Sequence, residues 1–209
     1  MRAVLCFGDS NTHGTIPMPT LEGLGRFGHE GRWPSVMAAD LGPGYEVIAE
    51  GHPGRTTVLD DPMEGEHRSG IRVLPSLLAS HTPLDIVILN LGTNDLKNCF
   101  HVSAADIAFF LDRLVRVVQG FDAGIRVLVV APPPIVEVGC LAEMFAGAAA
   151  KSQRLAPAIK AMTERLGVGF FDAGTVIGVS PVDGIHYEAG DQATLGLALG
   201  QVVRGMLDA

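Results

Sequence analysis

Asp85-Ile86-Val87-Ile88-Leu89-Asn90-Leu91 carries four apolar residues in succession, Ile86 to Leu89. Successive side chains of a strand point to opposite faces, so a strand apolar at every position is buried on both. Such a strand belongs in a parallel sheet covered by helices on each side. Short apolar runs recur at Ala3–Phe7, Tyr45–Ala49, Arg126–Ala131 and Gly169–Phe171. Residues 32–41, 71–81, 104–119, 150–166 and 190–207 fit helices between them. In 104–119, Ile107, Leu111, Leu114, Val115 and Val118 recur at three- and four-residue steps, the mark of one apolar face. Ser103 is placed to cap that helix, with Asp106 three residues on. Strand–helix alternation predicts an α/β fold, doubly wound, with a mainly parallel five-stranded sheet and one domain over residues 1–209.

Composition bounds the function. The chain has 209 residues, 47% of them hydrophobic and 18% charged, which suits one sizeable core and excludes disorder of the whole chain. A formal net charge of −8 repels phosphate backbones, so no nucleic-acid partner is expected. Cys6, Cys99 and Cys140 are odd in number and far apart, with neither metal-ligand nor disulfide spacing. No run reaches the roughly 18 apolar residues that span a bilayer, and Ala3–Phe7 is too short for a signal peptide. The expected location is cytoplasmic, with no membrane partner.

Three motifs fall at predicted strand ends, where open α/β sheets place their sites. Phe7-Gly8-Asp9-Ser10-Asn11-Thr12 turns from the first strand toward a helix. Backbone N–H groups converge there and favour the oxyanion that a nucleophilic serine creates. Leu91-Gly92-Thr93-Asn94-Asp95 brings the Asn94 amide, a candidate donor to that oxyanion. In Asp183-Gly184-Ile185-His186 a tight turn lets the carboxylate reach histidine Nδ1–H and leaves Nε2 as a base. Taken singly, each also reads as an ordinary cap or turn. Together, at one sheet edge, they supply a nucleophile, an amide donor and an oriented base. The expected catalytic residues are Ser10, Asp183 and His186.

Phe-Gly-Asp-Ser at 7–10, Gly54, Gly-Thr-Asn-Asp at 92–95 and Asp-Gly-Ile-His at 183–186 resemble the four blocks of the SGNH, or GDSL, hydrolases. Val4 to Ser10, Arg55-Thr56-Thr57, Leu89 to Asp95 and Phe171-Asp172-Ala173-Gly174 further resemble the bacterial arylesterase/acyltransferase branch. The resemblance implies a flavodoxin-like three-layer sandwich. It implies a carboxylic ester hydrolase acting through an acyl-enzyme on small, acetyl-like esters of aryl or carbohydrate alcohols, with acyl transfer to alcohols as a variant. It places the oxyanion hole at the Ser10 and Gly54 N–H groups and the Asn94 amide. It also implies a homo-oligomer, as does the apolar stretch 132–150. Asn11 and His13 depart from the family's usual Leu and Trp and make the first loop more polar. Asn11, His13, Trp33, Thr93 and Ile185 are the expected substrate contacts, with Phe27, Phe100, Met144 and Phe145 as further wall candidates.

No cofactor is required by this chemistry. Six of the seven histidines lie outside the motifs and show no paired ligand spacing, so no metal is expected. Asp60-Asp61 reads as a solvated turn before Pro62, and Glu50 with Arg55 as an ion pair propping the Gly54 loop. The alternative reading is a flavin-binding redox domain, in which Ser10, Asn11, Thr12 and Thr15 cradle a phosphate. That reading gives Asp183 and His186 no task.

Overall fold

The computed structural model describes residues 1–23 and 25–208, Glu66 through its backbone alone. Five strands, β1 (Arg2–Gly8), β2 (Tyr45–Gly51), β3 (Ile86–Asn90), β4 (Arg126–Ala131) and β5 (Gly169–Asp172), form one parallel sheet in the order β2-β1-β3-β4-β5. The helices are α1 (Ser10–His13), α2 (Trp33–Leu41), α3 (Gly70–His81), α4 (Ala104–Phe121), α5 (Ala149–Ser152), α6 (Leu155–Leu166) and α7 (Ala189–Asp208). This is the doubly wound α/β sandwich expected from the strand runs.

The consecutive apolar residues feed two cores. Leu5, Phe7, Val87, Leu89, Val127 and Val129 pack on one face with Leu74 and Leu78 of α3, Leu111 and Leu114 of α4 and Ile159 of α6. Val4, Cys6, Ile86, Ile88, Leu128 and Val130 pack on the other with Met37 of α2 and Leu195 and Leu199 of α7. Each fully buried aliphatic side chain contributes about 1.5–3 kcal/mol, so both faces are needed to hold the helices in place. Ser103 caps α4 through a capping box closed by Asp106.

One expected helix is two. Residues 150–166 divide into α5 and α6, with Gln153 and Arg154 between them. Pro157 explains the break: its ring would clash with the Gln153 carbonyl, four residues back, in an unbroken helix. At the first turn of α6 its missing N–H costs nothing.

The chain runs from β1 to β2 on one side and then crosses to β3 on the other. The loops after β1 and β3 therefore part at adjacent strand ends and open a crevice at the carboxyl edge.

Candidate active site

β1 delivers Ser10 to this crevice. Asp9 caps the short α1, its Oδ1 accepting from Asn11 N–H at 3.0 Å. Ser10 is the first residue of that helix and is 6% exposed. Its hydroxyl donates to His186 Nε2 at 3.1 Å. His186 Nδ1–H donates to Asp183 Oδ2 at 2.6 Å. Asp183 accepts only, so this contact places the ring hydrogen on Nδ1 and leaves Nε2 to take the serine proton.

Asp183 is held by four donors. Oδ1 accepts from the Ile185 and His186 N–H groups at 3.0 and 2.9 Å, and Oδ2 also accepts from Met18 N–H at 2.7 Å. Burial works against its ionisation, but the hydrogen bond and charge of His186 and the backbone donors outweigh that and bring it down to about 2. Met18 went unrecognised in the sequence. A backbone N–H belongs to every residue but proline, and nothing in the 12–31 segment signals that this one points at Asp183.

Asn94 lies in a 3₁₀ turn after β3 (Asn94–Leu96). Its Nδ2 donates to the Arg55 carbonyl at 3.2 Å, and its second hydrogen has only Asp9 Oδ2 at the outer limit of 3.5 Å. Among the described residues, the Ser10 and Gly54 N–H groups have no hydrogen-bond acceptor. Gly54 has φ +74°, a conformation that favours glycine, and an added Cβ would fall 2.1 Å from Glu64 Oε2. Of the two glycines in Gly51-His52-Pro53-Gly54, Gly54 lies at the cavity and Gly51 ends β2 in register with Gly8.

Ser10, His186, Gly54 and Asn94 share one cavity of ≈ 270 Å³. Its apolar wall comprises Met18, Leu21, Leu141, Met144, Phe145 and Ile185, while Glu64, Arg68 and Lys97 form a charged side. A larger groove of ≈ 720 Å³, between the free edge of β2 and α2, contains none of the motif residues.

Of the five expected substrate contacts, only Ile185 lines this cavity. Trp33 is fully buried in the core beneath α2 and α7, because it opens α2 and faces the sheet rather than the crevice. Asn11 is also inside the protein, 1% exposed. Its side chain donates to the Ile185 carbonyl at 3.2 Å and accepts from Tyr187 N–H at 3.2 Å, bridging the loops of Ser10 and His186. His13 pairs with Thr15 Oγ1 at 3.3 Å, away from the cavity wall. Burial, aided by Arg26 and Arg32, pulls its pKa down to about 4, so it is neutral at physiological pH. Thr93 is 3% exposed at the start of the Asn94 turn. Met144 and Phe145 do line the cavity, whereas Phe27 and Phe100 do not.

Two supporting expectations need correction. Arg55 does not pair with the Glu50 carboxylate. Its Nη1 donates to the Glu50 and Gly8 carbonyls, joining the ends of β1 and β2, while Glu50 Oε1 takes His81 at 2.9 Å. Asp61 is not solvated but 1% exposed, because Lys97 covers it with an ion pair at 2.9 Å. In the phosphate cradle of the flavin alternative two donors are already engaged, Asn11 N–H on Asp9 and the Asn11 side chain on Ile185. Among the described residues no cluster of His, Cys, Asp or Glu is arranged for a metal ion, and no helix is long and apolar enough to cross a membrane.

The doubly wound sheet and the serine, histidine and aspartate gathered at its carboxyl edge define a serine esterase of the GDSL type. The chain belongs to the GDSL-like lipase/acylhydrolase family, which it matches over residues 6–195. Solved structures extend the similarity. A carbohydrate acetylesterase from Sinorhizobium meliloti is 42% identical, with a TM-score of 0.95 over 99% of this chain and 100% of that one. An aryl esterase from M. smegmatis, in an inhibitor-bound form, is 40% identical, with a TM-score of 0.95 over 98% and 99% of the two chains. A comparison with curated proteins gives no match.

Proposed function

We propose that this protein hydrolyses small, acetyl-like carboxylic esters through an acyl-enzyme on Ser10. The observation that carries the reading is the continuous hydrogen-bonded chain from Ser10 Oγ through His186 to Asp183. His186 Nε2 takes the Ser10 proton as Oγ attacks the ester carbonyl. The new oxyanion is met by the Ser10 and Gly54 N–H groups and the second hydrogen of the Asn94 amide. His186 then returns the proton to the departing alkoxide as the C–O bond breaks. Water deprotonated by His186 attacks the acyl-enzyme and releases acid and Ser10. Where an alcohol takes the water's place, the product is a new ester.

The similarity to a carbohydrate acetylesterase supports an acetyl group as the acyl part, and the similarity to an aryl esterase supports an ester substrate. The compact, largely apolar cavity supports it independently. The expected homo-oligomer fits the exposed Val136 and Met144 in the 132–150 stretch, 50% and 36% exposed, an apolar surface of the kind that subunits cover. Ser10→Ala tests the mechanism. It is expected to abolish turnover of phenyl acetate with the far-UV circular dichroism unchanged. Turnover retained by that variant would overturn the assignment of Ser10.

A further inference from the structure

None of the steps above uses Lys97, yet its side chain is 3% exposed on the wall of the Ser10 cavity. Its Nζ donates to Asp61 Oδ2 at 2.9 Å and to Glu64 Oε1 at 2.8 Å. An ammonium has three donors, and the third has no partner among the described residues. Glu64 is in the complementary position. Oε1 is taken by Lys97, while Oε2 accepts no hydrogen bond among the described residues and lies 3.8 Å from Arg68 Nε, beyond hydrogen-bond range. Asp61 fixes the pair from behind, its Oδ1 accepting from the Met63 and Glu64 N–H groups at 3.0 Å each.

Lys97 and Glu64 also line a second cavity of ≈ 370 Å³, which adjoins the first through Leu21 and Met144. The rim of this outer cavity carries the exposed side chains of Leu21 and Met63. An acetyl carbonyl held at Ser10 therefore directs the alcohol part of the ester past Lys97 and Glu64 into the outer space.

One open donor beside one open acceptor is the complement of a single alcohol hydroxyl. Its oxygen accepts from Lys97 Nζ and its hydrogen donates to Glu64 Oε2. A plain aryl or alkyl group meets neither requirement. We propose that Lys97 and Glu64 form a hydroxyl-binding pair, and that the ester taken at this site carries a free hydroxyl on its alcohol part, as a partly acetylated polyol or sugar does. The proposal rests on the esterase reading above and narrows its substrate class.

The test compares kcat/KM for trans-cyclohexanediol monoacetate and cyclohexyl acetate in the wild type, in Glu64→Met and in the double variant Lys97→Met/Asp61→Asn. The double variant removes opposite charges together, so that no more than one buried carboxylate is left to rearrange. The wild type is expected to favour the hydroxylated ester by at least about ten- to hundredfold, the range of one of its two charge-assisted hydrogen bonds. Each variant removes one of the two hydrogen bonds, and the ratio is expected to fall by about tenfold or more. A purely structural role would lower both rates together and leave the ratio where it was. No preference in the wild type, or a preference undiminished in a folded variant, would overturn the proposal. Should the double variant fail to fold, Glu64→Met decides, because Lys97 there keeps Asp61. A wild type that turns over no acetate, with Ser10 unlabelled by an organophosphonate, overturns the esterase reading itself and is distinct from a lost preference.

Discussion

Asp183→Asn exchanges a carboxylate oxygen for an amide where every neighbour is already a donor. Oδ1 faces the Ile185 and His186 N–H groups, and Oδ2 faces Met18 N–H and His186 Nδ1–H. With its NH₂ toward Ile185 and His186, the amide strands two buried backbone donors, at about 1–3 kcal/mol each. With its NH₂ toward Met18 and the imidazole, it strands only one, because the ring can change tautomer and accept. The second orientation is favoured by roughly the difference, about 1–3 kcal/mol. It leaves the ring hydrogen on Nε2, 3.1 Å from Ser10 Oγ, where a base is needed. Turnover should drop roughly 10⁴-fold, the loss that accompanies a wrong tautomer in such triads. Stability should drop by about 1–3 kcal/mol. The assay is kcat for phenyl acetate at neutral pH beside urea denaturation of the same sample. A folded variant that keeps more than about a tenth of the wild-type kcat would refute the tautomer argument. Acid acts on the same group in a graded way. Its folded pKa is depressed to about 2, so its contribution to stability is present above the ordinary carboxylate range and lost as pH falls through about 2.

Asp95 behaves with the opposite sign. Burial, only partly offset by the Thr57 hydroxyl and N–H, pushes it up to about 6, so the folded state loses stability as pH rises from about 4 through 6. Asp95→Asn should remove that slope and gain on the wild type by on the order of 2–3 kcal/mol between mildly acidic and neutral pH. A stability difference independent of pH in urea titrations would contradict this. Gly184 has φ +73°, and an added Cβ would sit 1.8 Å from the Val136 carbonyl. Gly184→Ala should therefore cost more than about 3 kcal/mol and lower kcat, since the residue lies between Asp183 and His186; a cost under about 1 kcal/mol would show that the loop yields. Ser103→Ala should cost about 1 kcal/mol through loss of the α4 capping box, read by thermal denaturation, with turnover retained.

The sheet was legible because its strands are buried on both faces. Ile86 to Leu89 could be assigned from four letters, since four consecutive side chains buried in two opposed cores fit a strand and not a helix, a pattern that Val4–Phe7 and Val127–Val130 share. Glu50 and Gly51, which extend β2, were not legible: they pair with Phe7 and Gly8 without being apolar. Ser10, Asn94, Asp183 and His186 could be read because each carries its chemistry in a motif of three to six adjacent residues. The Lys97 cluster has no such signature. Its partners stand 33 and 36 positions away, and the burial of Asp61 follows from that distant lysine rather than from Asp60 or Pro62 beside it. Trp33 and Asn11 show the converse limit. Their side chains suit a pocket or a core equally well, and only the direction of α2 and the approach of the Tyr187 loop decide between them.

Met18 has two separable duties. Its N–H orients Asp183, and its side chain forms part of the cavity wall. The first duty is indifferent to side-chain identity as long as the residue is not proline. Position 18 is thus a place where evolution, or a saturation library, can remodel the space around the acyl group while the proton relay keeps its alignment. Variation there would appear as altered substrate range at nearly constant chemistry, a form of modularity written into a single peptide unit.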